Sequence, residues 1–312
     1  MKDRLFVAQD DAEATPPTVG CVIDLYLAHL DYRHAAGDYS AQALQNARRE
    51  LRAFAKEHGA KPLALCRRHD LTVWLESHPQ WQSNWTKKRV LDTICRPFLW
   101  AADEELIASS PYRKPKGLKL PTRPRREARA DEYVALMRKG SRPLRRALFF
   151  LRRSGARTCE MRVVTWPEVD LRRGVIRLDE HKTVRLTKDP LPRLIPLDRA
   201  LVRFFRNLYR QHPPGTERVF LNNHGTPWNR HAFARHFRRT ADRLGLACDL
   251  SAYCLRHSYG TAAIEAGIGE RQVADVMGHT TTRMTSYYAK TAGKIDHLRR
   301  VAETVVRQRQ RC

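Results

Sequence analysis

Three residue types near the end of the chain could carry out phosphoryl transfer together. The stretch 252–290 contains Arg256, His279 and Tyr288 in that order. Arginine binds phosphate through a planar fork of donors, histidine adds a donor that can also carry a proton, and a phenol can form an ester with phosphorus. This set is suited to holding a phosphodiester while a tyrosine hydroxyl attacks it.

Two stretches further upstream could complete such a site. Arg157 follows a small-residue turn and precedes a predicted helix, in which Glu160 is expected to support it one turn later. Lys182 lies between two predicted strands, where its ammonium could protonate a departing 5′ oxygen as a general acid. A structural salt bridge is the alternative for each arginine, and a solvated hairpin lysine for Lys182, with Lys188 as its nearest competitor.

The order of these elements resembles the C-terminal signature of tyrosine recombinases, the phage integrase family. The resemblance rests on RH followed by an apolar helix, then MGH and YYA, and on the upstream SGART and HKT stretches. It implies that Tyr288, rather than its neighbour Tyr287, is the nucleophile. The catalytic partners that it implies are Arg157, Lys182, Arg256 and His279.

Tyr253 departs from the common family pattern, in which a histidine stands three residues before the second arginine. A phenol with a reference pKa near 10 is a poor base at neutral pH but a competent donor to a phosphate oxygen. We therefore expect Tyr253 to act as a donor and His257, beside Arg256, to play a supporting, structural role.

The composition points to a polyanionic partner independently of any family. The chain has 58 Lys and Arg against 33 Asp and Glu, a formal net charge of +25 and a pI near 10.4. Such a surplus is typical of nucleic-acid binding, with a merely solvated basic surface as the alternative. Seven cysteines without a CxxC pair predict neither a disulfide framework nor a zinc site. Reduced thiols of a cytosolic protein are expected.

Composition and periodicity divide the chain into four parts. Residues 1–17 are a polar lead, 18–108 a helical basic domain, 109–130 a proline-rich basic linker, and 131–312 a mainly helical domain ending in a helix over about 294–309. The resemblance implies that 18–108 is a core DNA-binding domain and 131–312 the catalytic domain. The expected fold is mainly α with a small β-sheet (α+β). The resemblance implies that the two domains form a C-shaped clamp on DNA.

The linker is expected to contact the phosphate backbone of DNA, because prolines block helix and sheet while its basic side chains attract the polyanion. A disordered surface loop is the alternative. The expected DNA-binding residues are Arg113, Lys114, Lys116, Lys119, Arg123, Arg125 and Arg126.

Finer boundaries follow from periodicity and turn residues. Helices are predicted over 70–77, with Asp70 as the N-cap, and over 84–101, 142–153, 198–212 and 231–244. Strands are predicted over 175–178 and 194–197, with a short apolar run at 219–221.

The resemblance implies a site-specific recombinase or integrase that works through a 3′-phosphotyrosyl intermediate without ATP, metal or another cofactor. It implies double-stranded DNA sites as substrate and a homotetramer, and accessory DNA-bending proteins are compatible with it. No stretch approaches the roughly 18 apolar residues of a membrane span, so the expected location is the prokaryotic cytoplasm, on the DNA of a mobile element or chromosome. The alternatives are a catalytically impaired DNA-binding regulator, or an enzyme resembling type IB topoisomerases or telomere resolvases.

Overall fold

The computed structural model describes residues 16–112, 126–179, 192–279, 281, 282, 285 and 286. The chain divides into two compact units, Met1–Arg123 and Pro124–Cys312. The predicted polar lead and C-terminal helix lie almost wholly outside the described residues.

Helices make up most of the first unit. They are α1 Val19–Ala35, α2 Ala41–His58, α3 Arg68–Glu76 and α4 Asn84–Asp103. The first two begin at hydroxyl caps: the Thr18 and Ser40 side chains accept hydrogen bonds from backbone N–H groups in the first turn, which satisfies donors that a helix start otherwise leaves unpaired.

The core of the first unit contains a cluster of buried aromatic side chains. Phe54, Trp74, Phe98 and Tyr112 are each no more than 1% exposed, and the Tyr112 ring meets the rings of Phe54 and Phe98 edge-on, at 5.7 and 4.9 Å between centroids. Aromatic pairs favour this geometry. The beginning of the predicted linker is therefore packed into the first unit as far as Tyr112.

The second unit carries seven helices within its described residues, together with a small sheet. The helices are α5 Ala130–Lys139, α6 Arg142–Ser154, α7 Thr158–Val163, α8 Arg199–Arg210, α9 Arg230–Arg243, α10 Tyr253–Glu265 and α11 Glu270–Met277. The core brings α6 against α10. Among the described helices of both units, none is long and apolar enough to cross a membrane.

Three antiparallel strands form the sheet, in the order β1 Val169–Asp170, β2 Val175–Leu178 and β3 Arg193–Pro196. Ile176 lies opposite Ile195 in the ladder, and both side chains are buried. The prediction of a mainly helical fold with a small sheet is confirmed.

The far end of the predicted linker is packed on the second unit. The Ala128 N–H donates to the Ser258 hydroxyl at 3.0 Å, and the Thr261 hydroxyl donates to the Glu127 carboxylate at 2.8 Å. Glu127 and Ala128 thus tie the end of the predicted linker to α10.

Several element boundaries differ from those predicted from the sequence. Asp70 is not the N-cap of α3 but lies in its first turn, where its carboxylate accepts the backbone N–H of Arg67 at 2.9 Å. Asp198 caps α8 from outside the helix. Strand β3 begins one residue earlier than predicted, at Arg193. The apolar run at 219–221 forms one isolated bridge, between Leu221 and Pro227, which continues into no ladder.

Candidate active site

Arg157 is held at both ends of its guanidinium. It is the N-cap residue of α7, and the Glu160 carboxylate accepts its backbone N–H and its Nη1–H, both at 2.7 Å. Its Nη2 donates to the carbonyl of Gly278 at 2.6 Å. The structure thus places Glu160 against Arg157, where it both starts the helix and orients the side chain.

Arg256 lies inside the second unit, with 1% of its surface exposed. Its Nη1 donates to the carbonyl of Gly155, and its Nη2 donates to the carbonyl of Met277 at 2.7 Å. Arg157 and Arg256 therefore bind the consecutive carbonyls of Gly278 and Met277, at the end of α11. Two arginines that are remote in sequence meet at one short stretch of backbone.

His279 follows directly on this stretch. Gly278 ends α11 in the left-handed region, with φ at 66°, as expected for a glycine at this position. The imidazole Nδ1 of His279 lies 2.8 Å from the hydroxyl of Thr285, a fully buried residue. His279 therefore lies directly after the two carbonyls that bind Arg157 and Arg256.

Tyr253 and His257 occupy the first turns of α10. Tyr253 is 38% exposed, whereas His257 is only 8% exposed, and their rings meet edge-on at 4.8 Å between centroids. An exposed phenol one turn before buried Arg256 can donate to a ligand outside the helix, while His257 supports it by ring packing. Their functional roles stay predictions.

A further arginine, Arg193, lies buried beside Glu160. Arg193 is 5% exposed, and its Nε lies 3.6 Å from the carboxylate that Arg157 binds. Burial lowers the pKa of Arg193 from its ordinary value; the Glu160 carboxylate counteracts this, while the positive charges of Arg256 and Arg157 lower the pKa further. Two arginines pair with this one carboxylate and Arg256 adds a third positive charge nearby, which leaves an excess of positive charge that favours an anionic ligand.

Sequence reasoning missed Arg193. The stretch RLIPL carries apolar residues on both faces of an expected strand, so its alternation did not reveal which face is buried. The structure buries Arg193 and Ile195 and exposes Leu194. The available signal was the spacing of two residues between Arg193 and Ile195, which places both side chains on the same face of a strand.

Several predicted site residues lie outside the described residues. They are the nucleophile Tyr288, its neighbour Tyr287, Lys182, Arg113, Lys114, Lys116, Lys119, Arg123 and Arg125. Of the predicted linker contacts, Arg126 is described: its guanidinium pairs with Glu132 and, at 2.6 Å, with Asp249. Its contact with DNA stays a prediction.

Metal-ligating side chains do not cluster in the described ranges of the chain. Within those ranges, no group of three or more His, Cys, Asp or Glu side chains is arranged to hold a metal ion.

The turn at Gly155 is required by the site. Gly155 ends α6 with φ at 62°, and a Cβ built there would lie 2.5 Å from a ring carbon of Tyr259. The carbonyl of Gly155 also accepts a hydrogen bond from Arg256. This glycine therefore both permits the left-handed turn and helps to orient the Arg256 side chain.

We expect Gly155→Ala to lower the free energy of unfolding by about 2 to 5 kcal/mol, combining the cost of left-handed backbone with that of overpacking. Gly245 is the matched control, because its φ is 63° and a Cβ built on it would meet nothing within 4 Å. Gly245→Ala should cost only the backbone share, about 1 to 2 kcal/mol. Urea unfolding of the full chain measures both variants, and equal losses would contradict the close contact with Tyr259.

Comparison with known sequences assigns most of the second unit to one family. Residues 127–294 match the sequence profile of the phage integrase family. The tyrosine recombinase XerD of Mycobacterium tuberculosis (strain CDC 1551 / Oshkosh) is 27% identical over 296 residues, which cover 87% of this chain and 93% of that protein. The tyrosine recombinase XerC of Roseiflexus castenholzii is 30% identical over 152 residues, 46% of each chain.

Solved structures share the fold. An integrase of the Tn1549 transposon, in complex with transposon right-end DNA, superposes with a TM-score of 0.73 at 17% identity and covers 93% of this chain and 100% of its own. A lambda integrase tetramer bound to a Holliday junction gives a TM-score of 0.72 at 18% identity, with 88% and 78% covered.

Proposed function

Because this chain belongs to the phage integrase family, we propose that it is a site-specific tyrosine recombinase that cleaves and rejoins DNA through a 3′-phosphotyrosyl intermediate. The observation that carries the proposal is the meeting of Arg157 and Arg256 at consecutive carbonyls of one turn, immediately before His279. Fixed cations of this kind stabilise the charge that develops on a phosphoryl group in the transition state.

In the proposed cleavage step, the phenolic oxygen of Tyr288 attacks the scissile phosphorus and releases its proton to solvent. The bond from phosphorus to the 5′ oxygen breaks, and Lys182 delivers a proton to that oxygen, which leaves as a 5′ hydroxyl. The products are a 3′-phosphotyrosyl ester and a free 5′ end. Attack by a 5′ hydroxyl of a partner duplex then reverses the ester and restores the phenol.

Arg157 and Arg256 neutralise the nonbridging oxygens during both steps. His279 adds a donor on the same side, and exposed Tyr253 adds another from the first turn of α10. The ester keeps the energy of the broken phosphodiester bond, so the exchange needs no ATP. In this proposal the basic side chains supply the electrostatic stabilisation that two metal ions supply in many other phosphoryl-transfer enzymes.

The substrate that we propose is double-stranded DNA at specific sites. The net charge of +25 supports a polyanionic partner, and the comparison structures contain an integrase bound to transposon-end DNA and a tetramer on a Holliday junction. We accordingly propose a homotetramer on two DNA sites in the cytoplasm of a prokaryote. The basic linker would supply sequence-independent phosphate contacts, and accessory DNA-bending proteins could act on the same complex.

The direct test is to trap the ester. A DNA site is first selected from a randomised duplex pool by binding. It is then prepared with a nick close to the cleavage position, so that the short fragment carrying the released 5′ hydroxyl diffuses away and rejoining fails. In EDTA and without ATP, the parent protein should form an adduct that survives denaturing electrophoresis and carries DNA by its 3′ end.

A sulfur atom in place of the bridging 5′ oxygen tests the general acid. A thiolate leaves without protonation, because its pKa is far below that of an alcohol. Lys182→Ala should therefore cleave ordinary DNA slowly and the sulfur-containing DNA at nearly the parent rate. Specific binding without any adduct would instead indicate a DNA-binding regulator. An adduct with supercoil relaxation but no strand exchange would indicate an enzyme of the topoisomerase type.

A further inference from the structure

Arg193 touches two of the elements that anchor the arginines of the site, α7 and α11. From strand β3, its Nε lies 3.6 Å from the Glu160 carboxylate of α7. Its Nη1 donates to the carbonyl of Leu194 at 2.7 Å and to that of Asp275, in α11, at 3.4 Å. One buried side chain thus connects the sheet, the start of α7 and the last turn of α11.

The turn at Gly278 is shaped around the same guanidinium. A Cβ built on Gly278 would lie 2.6 Å from the Nε of Arg193 and 2.9 Å from its Cζ. Arg193 therefore lies directly against the residue whose carbonyl receives Arg157 and whose neighbour is His279. Only a glycine permits so close an approach here.

Burying a third cation at this point is costly for the fold. Desolvation and the like charges of Arg157 and Arg256 both oppose it, and within the described part of the chain the Nη2 of Arg193 has no hydrogen-bond partner. A buried ion pair is often replaceable by apolar side chains without loss of stability. The stability of the fold therefore does not account for Arg193, and its contacts suggest another role.

We propose that Arg193 is a positioning residue that holds the Glu160–Arg157 pair in register with the Gly278–His279 turn. It acts through Glu160 on one side and through the backbone of α11 on the other, and it does not itself contact DNA. This inference rests on the proposed function, because it assigns Arg193 to the cleavage step that Arg157 and His279 perform.

Arg193→Met is the first test, because methionine keeps the length and apolar stem of the side chain but removes the guanidinium. Glu160 retains both hydrogen bonds to Arg157 in this variant, so no carboxylate is left unpaired. We expect the single-turnover cleavage rate constant at saturating protein to fall on the order of a hundredfold, the loss associated with a displacement of about 1 Å in a site. DNA affinity should stay within a few-fold of the parent.

Two comparison variants separate a positioning role of Arg193 from a merely structural one. Arg193→Lys keeps the charge but cannot span the same three acceptors, so its rate constant should lie between those of Arg193→Met and the parent. Arg153 also pairs with one carboxylate, that of Asp198, but lies half-exposed outside the site. Arg153→Met should leave the rate constant unchanged. A merely structural role for Arg193 would lower the melting temperature and the reaction amplitude but not the rate constant.

A double-mutant cycle with Gly278 tests the contact itself. Gly278→Ala should slow cleavage far more than Gly245→Ala, which carries the same backbone strain at φ 63° without a close neighbour. In the Arg193→Met background, the additional loss from Gly278→Ala should shrink, because the flexible methionine can give way. Losses that multiply independently would overturn the coupling.

Arg157→Ala in the same assay separates this inference from the proposed function. If Arg157→Ala is slow while Arg193→Met retains a rate constant within a few-fold of the parent, the positioning role is wrong and the recombinase mechanism stands. If the parent forms no covalent adduct, the proposed function itself fails, and the positioning role fails with it. If the parent forms the adduct but Arg157→Ala cleaves as fast as the parent, Arg157 does not act on the phosphate, and the positioning role of Arg193 is wrong.

Discussion

Tyr288→Phe is expected to abolish the covalent protein–DNA adduct while leaving DNA affinity nearly intact. The change removes one oxygen atom, the one proposed to attack phosphorus, and keeps the aromatic ring. Arg157, Arg256, His279 and the Tyr253 phenol all act as donors in the proposal, so the attacking oxygen is assigned to Tyr288 alone. Denaturing electrophoresis on the nicked substrate measures the adduct, and a gel-shift titration measures the affinity.

Tyr287→Phe is the matched control for this prediction. The two tyrosines are adjacent, so the same atom is removed one residue away, and Tyr287→Phe should form the adduct at a rate close to that of the parent. An adduct that persists in Tyr288→Phe and disappears in Tyr287→Phe would assign the nucleophile to Tyr287. Adduct formation by both variants would contradict a tyrosine nucleophile at this position.

Arg157→Ala and Arg256→Lys should each lose about 3 kcal/mol of transition-state stabilisation. Cleavage should therefore slow on the order of a hundredfold or more. Alanine at position 157 removes a preorganised cation that also secures the Gly278 turn. Lysine is the better choice at position 256, because this side chain is buried and alanine would leave a cavity and two unbonded carbonyls. A lysine ammonium keeps the charge but cannot bridge the carbonyls of Gly155 and Met277 with one planar fork.

The measurement is the single-turnover rate constant on the nicked substrate, together with the melting temperature of each variant. Arg173→Ala serves as the control, since this side chain is 85% exposed and its Nε lies 3.8 Å from the Asp170 carboxylate of the sheet. Its rate constant should match that of the parent. A parent-like rate constant for Arg157→Ala or Arg256→Lys would mean that the arginine in question holds the fold together and does not act on the phosphate.

Local contacts of the site were predictable from sequence spacing. Glu160 follows Arg157 by three residues at a helix start, a spacing that brings the carboxylate back to the first residue. Gly278 after the last apolar residue of α11 predicts a left-handed helix end. The same local rules predicted the strands around Ile176 and Ile195, because short apolar runs between turn residues favour a sheet.

The contacts that assemble the site were not predictable in this way. Arg256 binds the carbonyls of Gly155 and Met277, and Arg157 binds that of Gly278. Every residue has a backbone carbonyl. An arginine that pairs with a carbonyl therefore has no acidic partner that could be recognised in the sequence. The burial of Arg193 was missed for a related reason: its environment is set by α7 and α11, not by its neighbours in the strand.

The long separation of these contacts also governs when the protein becomes able to cut DNA. Arg157 and its acceptor Gly278 are 121 residues apart, and Arg256 reaches back 101 residues to Gly155. Closing loops of this length is entropically costly and comes late in folding. A nascent or truncated chain that ends before α11 contains both arginines but lacks the carbonyls that aim them. We therefore expect cleavage competence to arise only once α11 and the Gly278 turn have been synthesised and have folded against Arg157 and Arg256.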